Sequence, residues 1–221
     1  MMTSNIPYKL IILISGNGSN LQAIIDAIQD KKINAQIAAV ISNQAEAFGL
    51  ERAKKAHIPT HVLPNKNFND RKDYDTALEK IIDAYDPQLI VLAGFMRILT
   101  PEFVAHYAGR MINIHPSLLP DYRGLNTHER VIEAQEKLHG VSVHFVTEEL
   151  DGGPIIAQMS LPIHEQDTPE SLQQRVHILE HKLYPQVIEW LATNKVMIKE
   201  GQIKWLDNEL DKLAQNGPIK M

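Results

Sequence analysis

The apolar positions along the chain follow two periods. Continuous apolar runs at Tyr8–Ile14, Gln36–Ile41, Leu89–Ala93 and Met111–Ile114 are what strands buried on both faces of a parallel sheet require. Between them lie stripes at helical spacing: Leu21, Ile24, Ile25 and Ile28, then Tyr74, Ala77, Leu78, Ile81, Ile82 and Tyr85. Ala45–Ala56 reads as a helix that stops before Pro59, followed by a short strand at Thr60–Leu63 and a polar loop at Pro64–Asp70. Thr100 followed by Pro101 predicts an N-cap with proline at the first helical position. Strand, helix and strand alternating in this way predict an α/β fold, a doubly wound and mainly parallel twisted sheet with helices on both faces.

After Pro120 the pattern changes. A helix is expected over Thr127–Leu138, then strands at Val141–Val146 and Pro154–Pro162 joined by a turn at Glu148–Gly153, as an antiparallel pair or edge extension. Thr168-Pro169 repeats the cap-then-proline signal, and the helix behind it carries Leu172, Val176, Leu179, Leu183 and Val187 on one side. Val196–Lys199 and Ile203–Leu206, split by Glu200-Gly201, read as a terminal hairpin, with Asp207–Met221 a frayed tail. The expected organisation is a single domain over 1–221: a nucleotide-binding-like half over 8–114, a second half over 115–195, and the hairpin and tail over 196–221.

Composition narrows the class. With 221 residues, 44% hydrophobic and 22% charged, the chain suits one soluble globular domain. A net charge of −5 argues against a broad nucleic-acid surface. The absence of cysteine excludes disulfides and thiolate metal sites and fits a reducing cytoplasm. No apolar run reaches membrane-spanning length, and Met1–Lys9 with the short run Leu10–Ile14 lacks the charged and apolar regions of a signal peptide. A soluble cytoplasmic protein of enzyme size is expected.

Four groups of residues can carry chemistry. The loop Ser15-Gly16-Asn17-Gly18-Ser19-Asn20 offers glycines, hydroxyls and backbone N–H groups at a helix N-terminus, a combination that suits a single phosphate ester. It is not the dinucleotide fingerprint, because Leu21 takes the third glycine position, and the alternative is a tight turn capped by Ser19. In Asn113-Ile114-His115-Pro116, alternate side chains share a face, so Asn113 and His115 stand together at the end of a strand, where α/β folds bind substrates. Asp151-Gly152-Gly153 is either a turn former or the partner of His115. A carboxylate within a few ångströms raises a histidine pKa by roughly one to three units. His144 is a supporting hydrogen-bond partner or a core histidine. Glu180 intrudes on the apolar stripe of its helix, which favours an ion pair or hydrogen bonds from ligand hydroxyls. His177 and His181 have helical spacing but no third ligand motif, so no metal is expected.

Taken together, Ser15–Gln22, Leu92–Leu99, Asn113–Pro120, His144–Val146 and Glu149–Pro154 resemble the phosphoribosylglycinamide formyltransferase family, folate-dependent enzymes of purine biosynthesis. The resemblance runs from about Lys9 to Trp190. It implies that the amine of 5-phosphoribosylglycinamide attacks the formyl carbon of 10-formyltetrahydrofolate, with Asn113, His115 and Asp151 as the catalytic trio. Asn113 and His115 would stabilise the oxyanion and Asp151 would raise the His115 pKa. It also implies that Gly18, Ser19 and Asn20 hold the phosphate and Glu180 the ribose hydroxyls. Arg71, Met96, Arg97, Ile98, Leu99, Asn113 and Thr147 would line the folate site, with His144 in support. The partners implied are these two small molecules, without nucleic acid or membrane, in a monomer or homodimer. One departure stands out. Where the family pattern has a basic residue and then Tyr-Pro-Gly, this chain has Asp121-Tyr122-Arg123-Gly124, and its arginine is reminiscent of methionyl-tRNA formyltransferases. Those enzymes need a basic tRNA surface, which an acidic chain lacks. The related formyltetrahydrofolate hydrolases carry an N-terminal regulatory domain. A non-catalytic phosphate- or nucleotide-binding module is the alternative from another class.

Overall fold

The structure is a computed structural model and describes residues 7–215 and 217–221. Residues 1–6, on which much of the signal-peptide expectation rests, and Asn216 in the expected tail lie outside the described residues. The chain forms two compact units, one running to Met96 and one from Arg97 to Met221.

In the first unit, β1 (Tyr8–Ile14), β2 (Ala35–Ser42), β3 (Thr60–Val62) and β4 (Leu89–Leu92) form a parallel sheet in the order β4-β1-β2-β3. Parallel strands need crossover helices, and the predicted stripes supply them as α1 (Ser19–Gln29), α2 (Phe48–Lys55) and α3 (Arg71–Asp83). Leu10 to Ile14 are fully buried, as are Leu21 and Ile24 of α1 and Tyr74, Leu78 and Ile82 of α3. Burial of both strand faces explains why the runs are continuous rather than alternating.

In the second unit, Thr100 caps α4 (Pro101–His106) by accepting the Phe103 N–H at 3.3 Å. β5 (Met111–His115) pairs antiparallel with β6 (Leu138–Phe145), which pairs antiparallel with β7 (Ile155–Pro162). The long helix α6 (Pro169–Ala192) opens with a reciprocal Thr168–Ser171 capping box, and Tyr184 on it donates to the Ile112 carbonyl of β5 at 3.2 Å. β8 (Val196–Lys199) and β9 (Gln202–Trp205) make the expected hairpin. The protein has the expected α/β fold, mainly parallel with flanking helices, and the antiparallel additions belong to the second unit. Among the described residues no helix is long and apolar enough to cross a membrane.

Two expectations are corrected. The helix expected over Thr127–Leu138 ends early, as α5 (Thr127–Glu133). Gln135 takes the left-handed conformation at φ 54°, Gln135 N–H donates to Ile132 O at 3.0 Å and Glu136 N–H to Val131 O at 3.1 Å. This helix stop usually announces itself with glycine, and here a glutamine fills it. Nor is Asp207–Met221 simply frayed. Asp207 caps α7 (Asn208–Ala214), and β10 (Ile219–Lys220) joins the β7 edge in parallel, with Ile219 buried.

Candidate active site

The second unit brings Asn113, His115, His144 and Asp151 together. The β5–β6 register sets Asn113 directly opposite His144 and His115 opposite Ser142. Cross-strand partners share a face at close range, so Asn113 Nδ2 lies 3.2 Å from His144 Nε2. A register irregularity between Val143 and His144 sits beside this pair, a common place for such a feature near a site.

The hydrogen bonds fix the His144 tautomer. Its Nδ1 lies 2.9 Å from the Phe145 carbonyl, which can only accept, so Nδ1 carries the proton. Burial pushes the pKa of His144 down, against the pull of the Phe145 carbonyl and of Asp151, so the ring is neutral near pH 7. Nε2 is then bare and accepts one Asn113 amide hydrogen. Its 3.7 Å approach to Asp151 Oδ1 is therefore not an ion pair. The second Asn113 hydrogen has only a 3.5 Å contact with Asp151 Oδ1, which leaves it available to a ligand oxygen.

His115 has acceptors at both ring nitrogens. Nδ1 lies 3.4 Å from Asp151 Oδ2, and Nε2 lies 2.9 Å from the Tyr122 carbonyl. Both side chains are nearly buried, at 6% and 7% exposure for His115 and Asp151. The Tyr122 carbonyl can only accept, so Nε2 carries a proton, and Nδ1 faces the Asp151 carboxylate. Asp151 is in the left-handed region at φ 49°, and its Oδ2 also accepts the Gly124 N–H at 2.9 Å. Of the two glycines that follow, Gly153 is required sterically, because it packs against main chain, whereas Gly152 faces a side chain. A Cβ at Gly152 would strike the Glu149 side chain, and one at Gly153 the Phe145 carbonyl oxygen. Glu180 is 5% exposed on α6, one turn before Tyr184. Burial, with the Glu180 charge adding to it, pushes the Tyr184 hydroxyl well above its usual range, so Tyr184 remains a donor to β5.

The first unit holds the other predicted loop. α1 begins at Ser19, and its N-cap is Gly18 in the left-handed conformation at φ 72°, so Ser19 is not the cap. Gly18 offers no side-chain cap to the amides of the first turn, which therefore face the loop with the positive helix end behind them. Gly18 and Gly49 approach so closely that a side chain on either would collide with the other's backbone or with Ile14. Arg52 braces the loop from α2, donating to Asn17 O at 2.9 Å and Asn17 Oδ1 at 3.1 Å. Ser15 donates to Asn43 at 2.6 Å and accepts the Met96 N–H at 2.7 Å. Arg71 is exposed at the start of α3, and Met96 is 69% exposed. In the second unit, Arg97 is half-buried, Ile98 exposed and Leu99 buried, while Thr147 is half-buried and contacts the Glu149 carbonyl at 3.4 Å.

Several residues that build the site went unassigned in the sequence. The Tyr122 carbonyl and Gly124 N–H act through main chain, which no side-chain pattern reveals. Arg52 and Asn43 lie on distant elements, and only contact identifies them. Ser142 and Gln158 hold the loop after His115: Ser142 Oγ donates to Ser117 O at 2.7 Å, and Gln158 Nε2 donates to Leu119 O at 2.9 Å.

Comparison with known proteins places the chain in a family. Residues 8–188 match the formyl transferase family. The phosphoribosylglycinamide formyltransferase of Escherichia coli K12 is 53% identical over 201 residues, covering 91% of this chain and 94% of that one. The human trifunctional purine biosynthetic protein adenosine-3 is 42% identical over 202 residues, covering 91% of this chain and 20% of that longer protein. Among solved structures, a phosphoribosylglycinamide formyltransferase of Coxiella burnetii superposes with a TM-score of 0.87 at 57% identity, covering 90% of this chain and 94% of that one. A glycinamide ribonucleotide transformylase of Symbiobacterium toebii gives 0.89 at 38% identity, covering 93% and 96%. With sequence and fold matched over nearly the whole length, the chain belongs to the formyl transferase family of enzymes.

Proposed function

We propose that this enzyme transfers the formyl group of 10-formyltetrahydrofolate to the amine of 5-phosphoribosylglycinamide. The relatives named above support the acceptor and the place in purine biosynthesis. The observation that carries the mechanism is that Asn113 Nδ2 and His115 Nδ1 approach the two oxygens of one carboxylate, Asp151, at 3.5 and 3.4 Å. Two donors meeting one anionic group are suited to a second anion, the oxygen that develops when an amine attacks a formyl carbon. Asn113 offers its loosely held hydrogen. His115 offers Nδ1, because Nε2 is committed to the Tyr122 carbonyl. Such donors stabilise charge that exists only in the transition state and the tetrahedral intermediate.

The step balances. A C–N bond forms from the glycinamide nitrogen, the bond to N10 of the folate breaks, and one proton passes from the attacking amine to N10. Asp151, an acceptor beside the reacting carbon, relays that proton through water and balances the imidazolium. Gly18, Ser19 and Asn20 hold the phosphate at the α1 N-terminus, and Glu180 accepts from the ribose hydroxyls. Arg71, Met96–Leu99 and Thr147 receive the folate. No resident metal takes part, and the setting is the cytoplasm, as a monomer or homodimer.

The test mixes the purified chain with 10-formyltetrahydrofolate and 5-phosphoribosylglycinamide and follows tetrahydrofolate formation optically. Turnover dependent on both compounds is expected. Binding of both without turnover would show a binding module instead.

A further inference from the structure

Arg123 is, with Asp121, one of the two residues that depart from the pattern of the resemblance, and the chemistry above does not use it. Its Nη1 pairs with Glu149 Oε1. The segment on the Arg123 side of this pair delivers two main-chain contacts to the trio, the Tyr122 carbonyl to His115 Nε2 at 2.9 Å and the Gly124 N–H to Asp151 Oδ2 at 2.9 Å, while the segment on the Glu149 side carries Asp151 itself. Both Tyr122 and Asp151 are non-glycine residues in the left-handed region, at φ 55° and 49°. Such residues keep that conformation only where their surroundings hold it. For Tyr122 the holding groups are visible. Its hydroxyl donates to Glu136 at 2.8 Å, the Arg130 guanidinium lies 5.3 Å over its ring, and Arg130 donates to the Arg123 carbonyl at 2.7 Å. For Asp151, the flank is the Glu149 side chain, which lies across Gly152 and ends on Arg123.

We propose that Arg123 and Glu149 are a positioning pair, a clamp between the Tyr122–Gly124 loop and the Glu149–Gly152 turn that fixes Asp151 against His115. This deepens the formyl-transfer reading and rests on it. Arg123 contacts no trio side chain and acts through the turn. The pair is partly exposed, at 37% and 65%, so its own attraction is modest and its effect is a matter of geometry. A small displacement of a positioned acid–base group is costly to turnover and leaves substrate binding largely alone.

The test compares the wild type with Arg123→Ala, Arg123→Glu and the swap Arg123→Glu/Glu149→Arg. Two readouts are used: kcat and the ribotide KM, and amide hydrogen exchange at Gly124 by NMR. Arg123→Ala is expected to lower kcat about three-fold, and Arg123→Glu, which sets like charges together, about ten-fold or more. The ribotide KM should stay within about two-fold, because a clamp that acts only on the reacting groups leaves ground-state binding unchanged. Gly124 exchange should quicken in both variants. The swap should restore both readouts towards wild type. Unchanged kcat in Arg123→Glu, or a swap no better than the single change, overturns the proposal. If the wild type itself shows no turnover, formyl transfer fails as a function, and Gly124 exchange alone decides the clamp: unchanged exchange refutes it.

Discussion

His115 and Asp151 meet side chain to side chain at 3.4 Å, almost wholly shielded from solvent, although they lie on a strand and on a turn far apart in the chain. A buried carboxylate without a partner is expensive, so each group gives the other a reason to be there. Asp151 also takes the Gly124 N–H, which leaves its remaining oxygen towards Asn113.

The first prediction concerns that pair. His115→Ala and Asp151→Asn should each lower kcat by about 10²–10³, the usual cost of removing a transition-state donor or its charge partner. The ribotide KM should move little, because neither group is assigned to the phosphate or ribose. Steady-state kinetics decide this, and near-normal turnover in either variant would refute the mechanism.

Glu180 should behave in the opposite way. It is buried beside Tyr184 and assigned to the ribose, so Glu180→Gln should raise the ribotide KM about ten-fold or more, as loss of a charge-assisted hydrogen bond does. A fall in kcat with KM unchanged would contradict the assignment.

Stability should fall on mild acidification. His128 Nδ1 and His139 Nε2 lie 3.0 Å apart, a contact that needs one bare nitrogen. Burial first, and neighbouring histidines second, push both from 6.5 down to about 4. Between those values the unfolded chain binds more protons, so this stability is complete above about pH 6.5 and drains away as the pH drops towards 4. His144 is shifted the same way by burial and adds to the trend. Urea midpoints measured across pH 4–7 check it, and His139→Gln should flatten the slope.

A further prediction tests the support beneath His115. Ser142 Oγ accepts the Leu119 N–H at 3.0 Å and a Gln158 hydrogen at 2.8 Å while donating to the Ser117 carbonyl. Ser142→Ala leaves the buried Leu119 N–H without this acceptor and should cost about 1–3 kcal/mol, read from urea unfolding.

Much of the molecule was written in local pattern. The runs Leu10–Ile14 and Leu89–Leu92 are apolar without alternation because both strand faces are buried, and that burial is visible as composition. Thr100 and Thr168 announced their helices because a cap and a following proline act within one turn. Asn113 and His115 share a face by strand geometry alone. What local pattern missed was set by partners distant in sequence. α5 stops because Gln135 takes the left-handed bond, a place where glycine would have given the signal and glutamine does not. β10 exists because the β7 edge has free main-chain groups for Ile219 and Lys220 to pair with. The tautomer of His144, the capture of Asp151 by Gly124, and the pairing of Arg123 with Glu149 depend on distances that no spacing encodes. The sequence by itself determined which side chains were available for chemistry and the α/β class that would present them. Tertiary structure alone decided which nitrogen of each histidine carries its proton towards which acceptor, because hydrogen bonds depend on tenths of an ångström and sequence periodicity resolves only faces.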